Sequence, residues 1–92
     1  MRLVIDASAW QDLDDIGTWI ARDNPTAARH VLEHILQATE RLQEFPRLAR
    51  PGRARSTYEY RVIGTPYIVV FQMQNNPAAI LVTAVVHAAR NR

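Results

Sequence analysis

Tyr58-Glu59-Tyr60-Arg61-Val62-Ile63, then Gly64-Thr65-Pro66, then Tyr67-Ile68-Val69-Val70-Phe71-Gln72-Met73 is the stretch that decides the fold. Glycine and proline between two runs of β-branched and aromatic residues read as a hairpin. Its second arm is unbroken apolar from 67 to 71. That is the pattern of a strand buried on both faces, and such a strand is central in its sheet. The first arm alternates. Tyr58, Tyr60 and Val62 fall on one face and Thr57, Glu59, Arg61 and Ile63 on the other, so one face is partly wet. Arg47, Arg50, Arg53 and Arg55 precede it, so the hairpin joins the core strand to the most basic surface.

Upstream, Leu3-Val4-Ile5 reads as a short strand and Asp6-Ala7 as the turn out of it. Ser8 with Gln11 fits a capping box. The apolar positions Ala9, Leu13, Ile16 and Ile20 predict a helix over 9–22. Trp10 and Trp19 flank that stripe, and Gly17 allows close approach of a neighbouring helix. Asp12, Asp14 and Asp15 lie in the first half of this helix, where the dipole favours acids; that reading outweighs a metal or acid–base role. Asn24 is the expected N-cap of a second helix, with Pro25 at its first position. That helix is expected over 25–44, its inner face made by Ala28, Val31, Leu32, Ile35, Thr39 and Leu42. Phe45-Pro46 stops it. Two helices joined by so short a turn form an αα-hairpin.

Residues 47–56 form a loop. Downstream of the hairpin, Asn75-Asn76-Pro77 is a turn, and 79–87 is a last strand. Strict alternation puts Ile80, Val82, Ala84 and Val86 on one face and Leu81, Thr83, Val85 and His87 on the other. With strands over 2–6, 57–63, 67–73 and 79–87 the order is β-α-α-β-β-β. The expected fold class is α+β, with the αα-hairpin packed on one face of a mainly antiparallel sheet. Ninety-two residues make one domain, 1–92.

Cysteine is absent, which excludes disulfides and cysteine-ligated zinc and fits a cytoplasmic protein. The N-terminus, broken by Asp6, does not read as a signal peptide. No stretch approaches the roughly 20 apolar residues of a membrane span. All 11 basic residues are arginine. From Asp6 to Glu44, eight acids face three arginines; from Phe45 onward, seven arginines face the single acid Glu59. The halves carry −5 and +6, and Arg2 brings the chain to +2. A basic half made of arginine suits an anionic partner, nucleic acid or acidic protein.

His30-Val31-Leu32-Glu33-His34 matches a zinc-peptidase pattern. Both histidines lie on the outer side of the second helix, with no third ligand and no cleft expected, so no metal or cofactor is assigned. No nucleophile elbow and no phosphate-cradling glycine loop is present. The remaining constellation is Arg53, Arg55, Tyr58, Glu59, Arg61, His87 and Arg90, which strand pairing could bring onto one face. Cleaving RNA through its 2′-hydroxyl needs a base, an acid and cations; Glu59 or His87 could be the base and the arginines the cations. The same residues could equally bind a nucleic acid without cutting it, or receive an acidic partner protein.

Further residues, spread over nearly the whole chain, resemble the RelE/ParE superfamily of bacterial toxins from type II toxin–antitoxin systems. They are Asp14-Asp15-Ile16 with Trp19-Ile20-Ala21, Asp23-Asn24-Pro25 with Ala27-Ala28, Leu42, Phe45-Pro46, Arg50-Pro51-Gly52-Arg53, Glu59, Thr65-Pro66-Tyr67, and Val86-His87-Ala88-Ala89-Arg90. The resemblance implies an αα-hairpin on an antiparallel sheet. It also implies a cognate antitoxin that wraps the toxin in a hetero-oligomer. Within the superfamily, ParE-like members poison DNA gyrase and RelE-like members cut messenger RNA in the ribosomal A site. The Asp-Asn-Pro turn and the Thr-Pro-Tyr hairpin look like ParE. RelE-like enzymes usually carry catalytic lysine and arginine with a late tyrosine or histidine. This chain has no lysine, although Arg61 and His87 lie near where such groups fall. Tyr58 stands where many ParE-like chains have arginine. The expected function is therefore gyrase inhibition without catalysis. Arg53, Arg55, Tyr58, Arg61, His87, Arg90 and Arg92 are the expected target-binding residues. The alternatives are a metal-independent RelE-type nuclease using Glu59, Arg61, His87 and Arg90, and a non-catalytic RNA-binding module.

Overall fold

The computed structural model describes residues 1–89 of the chain. Its elements are β1 (Arg2–Ile5), α1 (Ala7–Ala21), α2 (Pro25–Glu44), β2 (Arg50–Pro51), β3 (Tyr58–Arg61), β4 (Tyr67–Gln74) and β5 (Ala79–His87), with a 3-10 turn at Pro46–Leu48. The sheet order is β1-β5-β4-β3-β2, so β4 is the central strand, as its apolar run predicts. All pairs are antiparallel except β1 with β5.

The helices cover one face of the sheet. Ala9, Leu13, Ile35, Ala38 and Leu42 meet Val69, Phe71, Ile80, Val82 and Val85 in a single core. Phe71, Ile35, Val69 and Ile80 are fully buried. Asn24 caps α2, its Oδ1 accepting the Ala27 N–H at 3.1 Å, and Pro25 opens the helix. Gly17 lets the helices close together: a Cβ there would sit 2.9 Å from Leu32 Cδ1. Among the described residues the one buried polar side chain of the core, Thr39, donates to the Leu36 carbonyl at 2.7 Å, so it costs no unpaired group. At the hairpin, Thr65 N–H returns to the Val62 carbonyl and Gly64 adopts φ +85°, a conformation that a side chain would strain.

Four expectations are corrected. First, α1 begins at Ala7, not Ala9, and its cap is Asp6, whose side chain accepts the Ser8 N–H at 3.3 Å. Ser8 and Gln11 form no capping box; Gln11 Nε2 donates to Asp15 instead. Asp6 wins because β1 delivers its carboxylate at the helix start, while the Ser8 hydroxyl reaches the Thr83 carbonyl at 2.7 Å. Second, the 47–56 loop is not free of strand: Arg50 and Pro51 pair with Glu59 and Tyr58, giving the sheet a fifth strand.

Third, β4 is not covered equally on both faces. Its second face has no helix layer. Ile68 is 3% exposed there, beside Arg61 and Val86, its partners across the two neighbouring strands, while Val70 is half-buried. Fourth, β5 does not alternate throughout. Val70 pairs with Ala84 but Phe71 pairs with Val82, so Thr83 is an extra residue in a bulge. The bulge reverses the side-chain parity beyond it. Val85 and His87 join Ile80 and Val82 on the helix face, and Ala84 and Val86 turn to the open face.

Candidate target-binding surface

The basic loop is a structured element. Gly52 N–H donates to the Thr57 carbonyl at 2.8 Å, and Thr57 donates twice to the Ala54 carbonyl, from its N–H at 3.2 Å and its hydroxyl at 2.6 Å. Ser56 takes φ +64° to close the turn. Arg53 N–H donates to Glu59 Oε2 at 3.2 Å, tying the loop to β3. Gly52 is required by this closure, since a Cβ there would stand 2.5 Å from Thr57 Oγ1. Arg50, Arg53 and Arg55 are exposed along it.

On the open face of the sheet, Arg50 lies opposite Glu59, Glu59 opposite Val70 and Arg61 opposite Ile68. Arg61 is exposed and Glu59 half-buried. These residues make a basic border, with one acid in it, along the β2–β3 side of the apolar centre of the open face. Arg61 also begins the tip at which Ile63 is 79% exposed.

The remaining expected site residues lie elsewhere. Tyr58 pairs with Phe71 and stacks on it on the helix face, ring centres 5.6 Å apart. Its aromatic body is spent on the core. His87 also lies on the helix side, pairing with Tyr67 and meeting its ring edge-on at 5.4 Å. Strand pairing therefore does not bring the expected constellation onto one face. Arg53, Arg55, Glu59 and Arg61 share one region; Tyr58 and His87 are on the opposite side of the sheet. Arg90 and Arg92 lie outside the described residues.

His30 and His34 are exposed on α2. Among the described residues no three His, Asp or Glu side chains converge as a metal site requires. Sequence reasoning missed the role of the α1 acids. With the helix starting at Ala7, Asp12, Asp14 and Asp15 lie beyond its first turn, where the dipole has faded. Asp12 instead reaches across to β5, its Oδ2 accepting the Val85 N–H at 2.9 Å. β1 ends at Ile5, and beyond it α1 takes over the edge of β5. Asp6 N–H bonds the Val82 carbonyl, the Ser8 hydroxyl the Thr83 carbonyl, and Asp12 the Val85 N–H. The legible signal was the four-residue spacing of Ser8 and Asp12, which puts both on one helix face.

Comparisons with known proteins agree with this architecture. Residues 3–92 match the family model described as the ParE toxin of type II toxin–antitoxin system, parDE. A protein of Sinorhizobium fredii named "Putative toxin Y4kP" is 36% identical over 80 residues, covering 87% of this chain and 80% of that protein. The fold is similar to a chain of the chromosomal ParDE system from P. aeruginosa, with TM-score 0.83, 19% identity and 95% of each chain covered. It is also similar to a chain of the RelBE2 toxin–antitoxin complex from Mycobacterium tuberculosis, with TM-score 0.62, 20% identity and coverage of 94% and 95%. With the sequence match running over nearly its whole length, the chain belongs to the ParE toxin family of type II toxin–antitoxin systems.

Proposed function

We propose that this toxin arrests growth by inhibiting DNA gyrase, through contact rather than catalysis, and that a cognate antitoxin neutralises it. The observation that carries the reading is the separation of the candidate catalytic groups. Glu59 is level with Ala84 through Val70, on the open face. His87 is three residues further along β5, on the helix face. Two strand spacings put the two groups about 10 Å apart across the sheet and three residues put them about 10 Å apart along it, on opposite sides. A base and an acid so placed cannot serve one phosphate. A poison needs a presented surface, and the loop arginines with Arg61 supply it; the C-terminal Arg90 and Arg92 are assigned to the same role. The antitoxin partner is supported by the family and by the toxin–antitoxin systems among the similar structures.

The test is supercoiling of relaxed plasmid by purified gyrase, run beside messenger RNA cleavage on programmed ribosomes. Inhibited supercoiling that survives His87→Ala but is lost when Arg53, Arg55 and Arg61 are neutralised supports the reading. Unimpaired supercoiling together with A-site cleavage that His87→Ala abolishes overturns it in favour of the nuclease.

A further inference from the structure

Between α1 and the C-terminal end of β5 lies a cleft of about 230 Å³. Asp12 and Asp15 line one side of it, and Trp19, Tyr67 and His87 supply rings around the rest. Hydrogen bonds orient its polar side chains. Asp12 Oδ2 is held by the Val85 N–H and Asp15 Oδ1 by Gln11 Nε2, each at 2.9 Å. His87 Nδ1 accepts the Ala89 N–H at 3.1 Å, which holds the ring in place. Each carboxylate thus commits one oxygen to the protein. Among the described residues, the hydrogen bonds of both are to neutral donors, with no arginine on either. Trp19 already meets one guanidinium, that of Arg22, 5.2 Å from its ring centre.

We propose that this cleft receives the side chain of an arginine presented by a partner polypeptide. A guanidinium is planar, carries its charge permanently and offers a fork of donors. It can therefore bond the second oxygens of Asp12 and Asp15 while lying against the rings. An ammonium would gain the charge without the stacking. The volume is the liquid share of roughly eight water molecules, room for one long side chain and too little for a helix. A nucleic-acid strand is disfavoured, since its phosphates would approach two carboxylates. The cleft shares no lining residue with the arginine loop or Arg61, so its occupant and the target of the basic surface need not compete.

The probe is N-acetyl-L-arginine amide, titrated into the Trp10→Phe protein so that Trp19 is the sole tryptophan reporter. The expected result is a saturable change in Trp19 emission, with amide shift changes at Val85 and His87. Affinity should fall roughly fivefold or more in both Asp15→Asn and Asp12→Asn. Asparagine keeps an acceptor for the Val85 N–H, so unchanged melting of Asp12→Asn separates lost recognition from lost structure. The neutral isostere N-acetyl-citrulline amide should give no saturable response. No saturation with the arginine probe, an equal response to the citrulline probe, or shifts mapping away from the cleft overturns the proposal. None of these readouts depends on which cellular target the toxin arrests.

Discussion

Asp6 shows how one side chain does two jobs. It caps α1, and its carboxylate is held below the ordinary aspartate range. The chief cause is the hydrogen bond from the Ser8 hydroxyl, whose single proton is shared between Asp6 Oδ2 at 2.6 Å and the Thr83 carbonyl at 2.7 Å; the backbone N–H of Ser8 adds to it and burial slightly opposes it. A carboxyl whose pKa is lower folded than unfolded stabilises the fold at pH above its unfolded value. That contribution is lost as pH falls through the folded value. Melting temperature should therefore decline as pH falls from the ordinary aspartate range through the lowered folded value. Asp6→Asn, which keeps a capping oxygen but not the charge, should melt below the parent at neutral pH, show a shallower acid decline and approach the parent in acid. Asp6→Ala should melt lower at both. Thermal melts between neutral pH and pH 3 read this directly; equal acid slopes in parent and Asp6→Asn would refute it. At Gly52 the constraint is space. Gly52→Val would push Thr57 and Glu59 aside and loosen the arginine loop, costing about 1–3 kcal/mol by denaturant titration.

Among the elements, the bulge in β5 has the largest consequence. It makes Val85 a core residue, 4% exposed, and leaves Val86 half-buried on the open face. Val85→Ala should cost about 1–3 kcal/mol and Val86→Ala under about 1 kcal/mol. Unbroken alternation from Val82 predicts the reverse ranking, so the pair of denaturation curves decides whether the parity change is present in solution. The central strand is the other sensitive element. Val69, 0% exposed in the core, should not tolerate an acid: Val69→Asp leaves an unpaired charge costing several kcal/mol, enough to unfold a domain of this size. A soluble Val69→Asp protein with a cooperative melt would contradict the central placement of β4.

For the whole molecule the governing feature is the separation of charge. The acidic stretch is the αα-hairpin, and the basic stretch is the loop and the far strands. The exposed arginines Arg53, Arg55 and Arg61 carry no core packing. Neutralising all three to glutamine should leave a folded protein, with each surface change within about 0.5 kcal/mol, while induced expression no longer arrests growth. Expression of the parent chain should arrest growth, and co-expression of the adjacent gene product should relieve it. The triple variant still arresting growth would separate toxicity from this surface.

The sequence by itself determined the αα-hairpin, because helix period, Asn24 and Pro25 are local signals that agree with one another. It determined the central strand, because an apolar run without alternation fits only the middle of a sheet. It carried the family resemblance in scattered short motifs, and it marked the arginine loop as the basic surface. What only the tertiary structure decided depends on pairing between distant segments. The bulge at Thr83 arises from matching β5 to β4, and no residue near Thr83 announces it. The cap at Asp6 and the reach of Ser8 and Asp12 depend on β1 ending before β5 does. These long-range matches moved His87 to the face opposite Glu59. A side chain's face in a strand is set by a count of residues along the ladder, and one unpaired residue reverses it.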